Sequence, residues 1–271
     1  AGIRAAMDEV DPRSVLTTEH PCYDYLMRSL DGCITYDVTV LATPLRPLEV
    51  NLQRFYFPEC KAYELDHRYA DRQDRKKFWN GVASFGRILP KPFYTIYDEN
   101  EDVFSSRDCE ALVPTLVPRL YANRFRGGGK TFVHLYNATG RTQHGPLAPL
   151  AVGSGEHVVE LLGLEAVPLA STSAGPSAEL WLGPDEVACL AVLPVRLQSL
   201  RRDGDRVRVS LAAEAAAGSE LILAAADGAV LRRQPALAGE NGLDLAGLPE
   251  GARAACVKLL RDGLLQDLLP L

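Results

Sequence analysis

The sequence predicts an α/β region followed by an all-β region, and three observations carry that expectation. Every Phe, Tyr and Trp except Trp181 lies at or before Tyr136, so two kinds of domain meet near residue 130. Near the start, the β-branched stretch Ser14 to Thr18 runs into Glu19-His20, and Pro21 then opens a helix, the order of a strand feeding a crossover. From Thr131 onward, short apolar segments are punctuated by Gly, Pro and Ser, the pattern of stacked antiparallel sheets.

Taken in order, Ile3, Ala5, Ala6, Met7 and Val10 have helical spacing, and Asp11-Pro12 ends that helix before a strand over Val15 to Thr18. A helix is expected from Cys22 to Leu30 and a strand from Cys33 to Leu41. Leu52 to Phe57 reads as a strand covered on both faces because it is rich in Phe, Tyr and Leu. Arg68 to Ile88 reads as a long helix, with Phe78, Val82 and Phe85 on its buried side. Phe93 to Tyr97 reads as a further strand, and Asp108 to Arg124 as a last helix broken by Pro114 and Pro118.

Strands are then expected at 131–136, 147–152, 157–162, 166–170, 178–182 and 187–195. Beyond Pro194, three Asp-Gly pairs, Asp203-Gly204, Asp227-Gly228 and Asp262-Gly263, each separate two apolar runs, which is the hairpin signature. The division that follows is 1–128, 129–195 and 196–271.

Composition excludes several classes. A chain of 271 residues with 47% hydrophobic content can bury sizeable cores. Its net charge of −6 argues against a nucleic-acid partner, which calls for a basic face. No apolar run reaches the roughly 18 residues of a membrane span, so no membrane partner is expected. The oligomeric state is left open. The six cysteines form no C-x-x-C pair and read mainly as buried thiols, which leaves the compartment open. Glu19-His20 with Asp24, and Glu64-Asp66-His67, offer ligand-type side chains without metal-site spacing, so neither a metal nor a cofactor is expected. Arg126 to Thr131 resembles a phosphate loop superficially. Arg124 stands where the first glycine is required and no strand-to-helix turn is expected there, so a glycine hinge is the better reading.

The runs L-Q-R-F-Y-F-P-E-C-K-A-Y-E, F-W-N-G and T-F-V-H-L-Y-N-A-T-G-R-T-Q-H-G-P-L resemble the C-terminal half of bacterial glycoside hydrolase-like proteins. In these, a (β/α)8 barrel precedes β-sandwich domains. The resemblance implies a partial (β/α)8-type barrel, its last βα units, over about 130 residues and then two β-sandwich-like modules. A full barrel needs about 250 residues, so the resemblance further implies a fragment that alone is inactive or barely active on glycosides.

Glycoside hydrolysis in most families uses two carboxyl groups, about 5 Å or about 6.5 to 9.5 Å apart. Glu19 is the first candidate because it ends a strand at the edge where barrel enzymes hold catalytic groups; its structural alternative is an acid favoured at the start of the next helix. Glu59, after the expected strand Leu52 to Phe57, is the second, set against a surface or helix-start role. His20 is a candidate to hydrogen-bond substrate or steer the Glu19 proton, set against a structural histidine. Asp37 either binds a sugar hydroxyl or caps a turn. Tyr23 and Tyr56, with Tyr36, would form a stacking wall or belong to the core. The functional expectation is a carbohydrate-active protein that cleaves glycosidic bonds with paired carboxylates. The alternative is a non-catalytic carbohydrate-binding or structural protein on the same scaffold.

Overall fold

The computed structural model describes residues 2–19, 29–35, 50, 52–65, 70–85, 89–249 and 252–271, with backbone alone at 19, 35, 52, 53, 64, 65, 70–73 and 83–85. The chain opens with α1 (Gly2–Val10) and four strands, β1 (Thr17–Glu19), β2 (Gly32–Thr35), β3 (Lys61–Leu65) and β4 (Ala83–Phe85). These pair in chain order in one parallel sheet, β1-β2-β3-β4. The register places Thr17 beside Gly32 and Gly32 beside Lys61; two residues further on, Glu19, Ile34, Tyr63 and Ala83 share a row. Helices α2 (Leu52–Tyr56) and α3 (Ala70–Asn80) lie between successive strands. Two further helices, α4 (Lys91–Asp98) and α5 (Glu101–Phe104), complete the α/β region.

Three elements differ in type from the sequence expectation, and a fourth differs in length. Leu52 to Phe57 is mostly helical rather than extended: α2 turns Arg54 fully inward and leaves Tyr56 73% exposed. An aromatic run this short has no periodicity that separates helix from strand, and the buried guanidinium decides it. Arg54 donates to the carbonyls of Gly81 (3.1 Å) and Phe104 (2.8 Å) and lies over the Phe125 ring at 5.3 Å. Phe93 to Tyr97 is also helical, in α4, which starts at Lys91-Pro92 where a missing N–H costs nothing. The reverse error occurs at Asp108 to Arg124. This segment forms β5 (Asp108–Val113) and β6 (Leu120–Gly127), with both prolines in the connection between them. The helix expected over Arg68 to Ile88 is shorter; it ends at Gly81, whose φ of +65° suits a helix terminus, before β4.

β6 turns directly into β7 (Lys130–Asn137), so residues 108–127 are hydrogen-bonded into the antiparallel sheet. Gly127-Gly128-Gly129 is a hairpin between two strands, not a helix-to-strand hinge. A Cβ at Gly127 or Gly128 would collide with Asp102 of α5, which explains the glycine run by close approach. Six further strands follow, β8 (Gln143–Pro149), β9 (Glu156–Glu160), β10 (Glu165–Ala166), β11 (Leu169–Thr172), β12 (Gly175–Leu182) and β13 (Val187–Pro194). The sheet of β6 and β7 has the order β10-β9-β13-β7-β6-β5 and faces a second sheet, β11-β12-β8. Leu135, Leu147, Val158, Ala178 and Leu190 are among the buried residues of their common core.

The last part repeats the plan. β14 (Leu197–Asp203), β15 (Arg206–Leu211) and β18 (Gly239–Asp244) form one sheet. β17 (Val230–Pro235), β16 (Ser219–Ala225), β19 (Ala254–Arg261) and β20 (Leu264–Pro270) form the other. A one-turn helix, α6 (Ala213–Ala216), leads into β16. Asp227-Gly228 and Asp262-Gly263 sit between consecutive strands, whereas Asp203 closes β14 and Gly204-Asp205 makes the turn there. Asp262 and Gly263 both have positive φ (53° and 81°), as a type I′ turn demands.

A further core joins all three parts. It contains Phe78 of α3, Ile96 of α4, Val103 of α5, Phe125 and Phe132 of the first antiparallel sheet, and Ile222, Cys256 and Leu268 of the last. Among the described residues Cys33, Cys60, Cys189 and Cys256 are buried and Cys109 is partly buried; Cys22 lies outside them.

Candidate functional site

In a parallel sheet the connections that follow the strands gather at one edge, and side chains there can converge on a ligand. Glu19 is the last residue of β1 and so stands at that C-terminal edge. Only one other carboxylate, Glu64 in β3, lies on the four parallel strands. It falls in the row of Thr35 and Ser84, one beyond the row of Glu19, and adjacent rows have opposite pleat parity. His20, Tyr23 and Asp37 lie outside the described residues.

Glu59 belongs to the other edge. It follows α2 and precedes Lys61, the first residue of β3, and is therefore on the N-terminal side of the sheet. The row of Lys61 is two residues, about 7 Å, behind that of Glu19, and Glu59 lies further back still. The expectation that Glu59 ends a strand fails because the strand before it is the helix α2. Tyr56, the last residue of α2, is carried to the same N-terminal side. Glu19, Glu59 and Tyr56 are therefore not brought together.

The N-terminal side holds its own charged cleft of about 440 Å³, lined by Arg4, Asp31, Glu59, Lys61 and Arg107 among others. These charges are engaged with one another. Arg4 pairs with Asp31 at 2.5 Å and with Asp8 at 2.7 Å, and Arg107 lies 3.5 Å from Glu59. Asp31 Oδ2 also accepts the Leu16 amide at 2.7 Å, and Lys61 Nζ donates to the carbonyls of Pro58 (2.9 Å) and Ser105 (3.0 Å). Burial, then the nearby Arg54 guanidinium, pushes the Lys61 ammonium below its ordinary pKa. Such an arrangement fastens the starts of β1, β2 and β3, the role of that face in parallel α/β folds.

No family model and no curated protein matches the sequence. The solved structures it is similar to include alpha-amylases and an alpha-galactosidase. An Anoxybacillus alpha-amylase shares 14% identity with a TM-score of 0.47, covering 71% of this chain and 55% of its own. The maltogenic alpha-amylase AmyB from Thermotoga neapolitana shares 15% identity at TM-score 0.45, with 71% and 57% covered. The alpha-galactosidase I from Mortierella vinacea shares 8% at TM-score 0.44, with 71% and 61% covered. The chain thus spans little more than half the length of the structures it resembles.

A site that sequence reasoning missed lies on the sheet β11-β12-β8. Trp181, 70% exposed, is the cross-strand partner of His144, and the two rings stack with centroids 4.0 Å apart at 29°. They border a cleft of about 530 Å³ that reaches Glu160, Glu165, Glu179 and Glu186. The signal was available in the strand itself. Leu180 and Leu182 pack into the core, so alternation sends Trp181 between them to the outer face.

Proposed function

We propose that this chain is the C-terminal portion of a carbohydrate-active protein that hydrolyses glycosidic bonds, with Glu19 as one of its two carboxylates. On this reading, residues up to about 104 are the last βα units of a (β/α)8 barrel, and the antiparallel parts are two β-sandwich modules. The observation that carries it is the position of Glu19 as the closing residue of β1 in a parallel sheet whose strands pair strictly in chain order. That is the sheet order of a (β/α)8 barrel, and its C-terminal edge is where such enzymes hold their reacting groups.

Two roles are open to a carboxyl group there. Protonated, it gives its proton to the leaving glycosidic oxygen; ionised, it faces the positive charge that develops on the sugar ring. Its partner is to be sought off the described strands, because Glu64 has the opposite pleat parity and Glu59 stands at the far edge.

Glu19→Gln, made in the full-length protein, keeps the shape and removes both proton and charge. Turnover of aryl glycosides is expected to fall at least about a hundredfold with the melting temperature unchanged. Glu59→Gln, by contrast, is expected to leave turnover intact. Activity of Glu19→Gln within a few-fold of the parent would return Glu19 to a helix-start acid.

A further inference from the structure

Trp181 and Trp79 are the protein's two tryptophans, and they are used in opposite ways. Trp79 is 1% exposed and packs against Tyr136 at 5.6 Å. Trp181 presents its ring to water at 70% exposure, although burying an indole is strongly favourable. Its ring is also held in place, since the His144 imidazole stacks upon it and β12 and β8 pair beneath both.

The cleft beside this ring has a particular chemistry. Among the described residues no lysine or arginine lines it. Two of its four carboxylates are committed to the fold. Glu160 accepts the amides of Cys189 (2.8 Å) and Gly163, and Glu186 accepts the amide of Gly183 (2.8 Å). Glu165 is exposed and Glu179 half-buried, and the carboxylates of both make no hydrogen bond or ion pair within the described residues. Glu179 shares the outer face with Trp181, two residues away on β12. The remaining lining is largely apolar, including Val167 and Pro168.

We propose that this cleft is a saccharide-binding site: a neutral pyranose lies on Trp181 and its hydroxyls donate to Glu165 and Glu179. A sugar ring has the required two-sidedness, with axial C–H groups for the indole face and O–H donors for acceptors at its rim. A small cation would also be drawn to free carboxylates, but its recognition by aromatic groups works through several faces enclosing it, and here a single open face is offered. A phosphorylated or uronic sugar is disfavoured because four carboxylates and, among the described residues, no lysine or arginine line the cleft. The site stands on different strands from Glu19, and the inference is independent of hydrolysis.

The test uses the 271-residue chain and intrinsic fluorescence, since of its two tryptophans iodide reaches Trp181 and not buried Trp79. The probes are neutral tetrasaccharides of glucose, xylose and galactose, with tetramethylammonium and an oligo-arginine peptide as cationic comparators. At least one tetrasaccharide is expected to protect Trp181 from quenching in a saturable way below about 10 mM, which corresponds to weak but specific affinity. By calorimetry, Trp181→Ala is expected to weaken that binding about tenfold or more, as for an anchoring aromatic, without lowering the melting temperature. The pair Glu165→Gln and Glu179→Gln is expected to weaken it as well, whereas Glu19→Gln leaves it unchanged even where turnover is lost. No saturable protection by any tetrasaccharide, binding that survives Trp181→Ala, or protection by the cations alone would each overturn the proposal.

Discussion

Where the helical region meets the β-sheets, charged side chains are buried, whereas on the sheet β14-β15-β18 similar side chains face water. Lys258, 6% exposed at its side chain, donates to both carboxylate oxygens of Glu99 at 2.7 and 2.8 Å. Lys130, at 2%, reaches Asp102, the Asn100 amide oxygen and the Leu265 carbonyl, all within 2.8 to 2.9 Å. On the outer sheet, Glu240 accepts from Arg201 and Arg208, and Asp244 from Arg206, at equally short distances of 2.6 to 2.8 Å, yet these side chains are a third to two-thirds exposed. Hydrogen bonding to Arg208 holds the Glu240 carboxyl below its ordinary pKa without changing that conclusion. Distance alone does not rank an ion pair. What ranks it is the solvent each partner would regain if the other were removed.

The largest expected effect tests the buried side of this contrast. Lys258→Met strands the Glu99 carboxylate in a poorly solvated place and is expected to cost about 3 to 5 kcal/mol in urea unfolding. Adding Glu99→Leu removes the stranded charge, so the double variant is expected to recover much of that loss. Recovery of none of it would mean that Lys258 acts through packing and not through its charge.

Somewhat smaller is the effect of His134, fully buried and stacked on Phe78 at 4.4 Å, its Nδ1 2.7 Å from the Phe78 carbonyl. Burial pushes its pKa down from 6.5 to about 4, so the neutral ring is the one the fold accepts. Because the folded value lies below the unfolded one, this contribution is whole above pH 6.5 and is lost as pH falls toward 4, by about 3 kcal/mol in all. His134→Phe keeps an aromatic stack and removes the titration. Thermal melts of this variant are expected to vary less between pH 6.5 and 4 than those of the parent, and equal slopes would remove His134 from the account. The smallest effect belongs to the outer sheet: Glu240→Gln is expected to leave the melting temperature without measurable change, and 1 M salt likewise.

The two halves of the chain were unequally legible. In the β modules the signals were local: Asp-Gly pairs favour positive φ, and β15 alternates inward Val and Leu with outward polar residues, while β13 is a continuous apolar run buried along its length. In the α/β region the deciding contacts were remote. Leu52 to Tyr56 is helical because Arg54 finds the carbonyls of Gly81 and Phe104, which no window around residue 54 contains. Likewise Asp108 to Gly127 becomes two strands because β7, further along the chain, offers an edge to pair with. At the candidate site, the place of Glu19 could be read from a β-branched run stopped by a proline. The misplacement of Glu59 followed directly from the misread helix before it. Trp181 stood out in composition as a lone aromatic, but only strand phase shows that it faces water.

The core that runs from Phe78 through Phe132 and Cys189 to Ile222 and Leu268 has a consequence for how the molecule comes apart. Because each region supplies side chains to the same dry interior, none can detach without wetting the others, and heat should dissolve them in a single calorimetric peak. β1, held to β2 by three paired residues, is instead the place where backbone amides would first trade their protons with water while that interior stays shut.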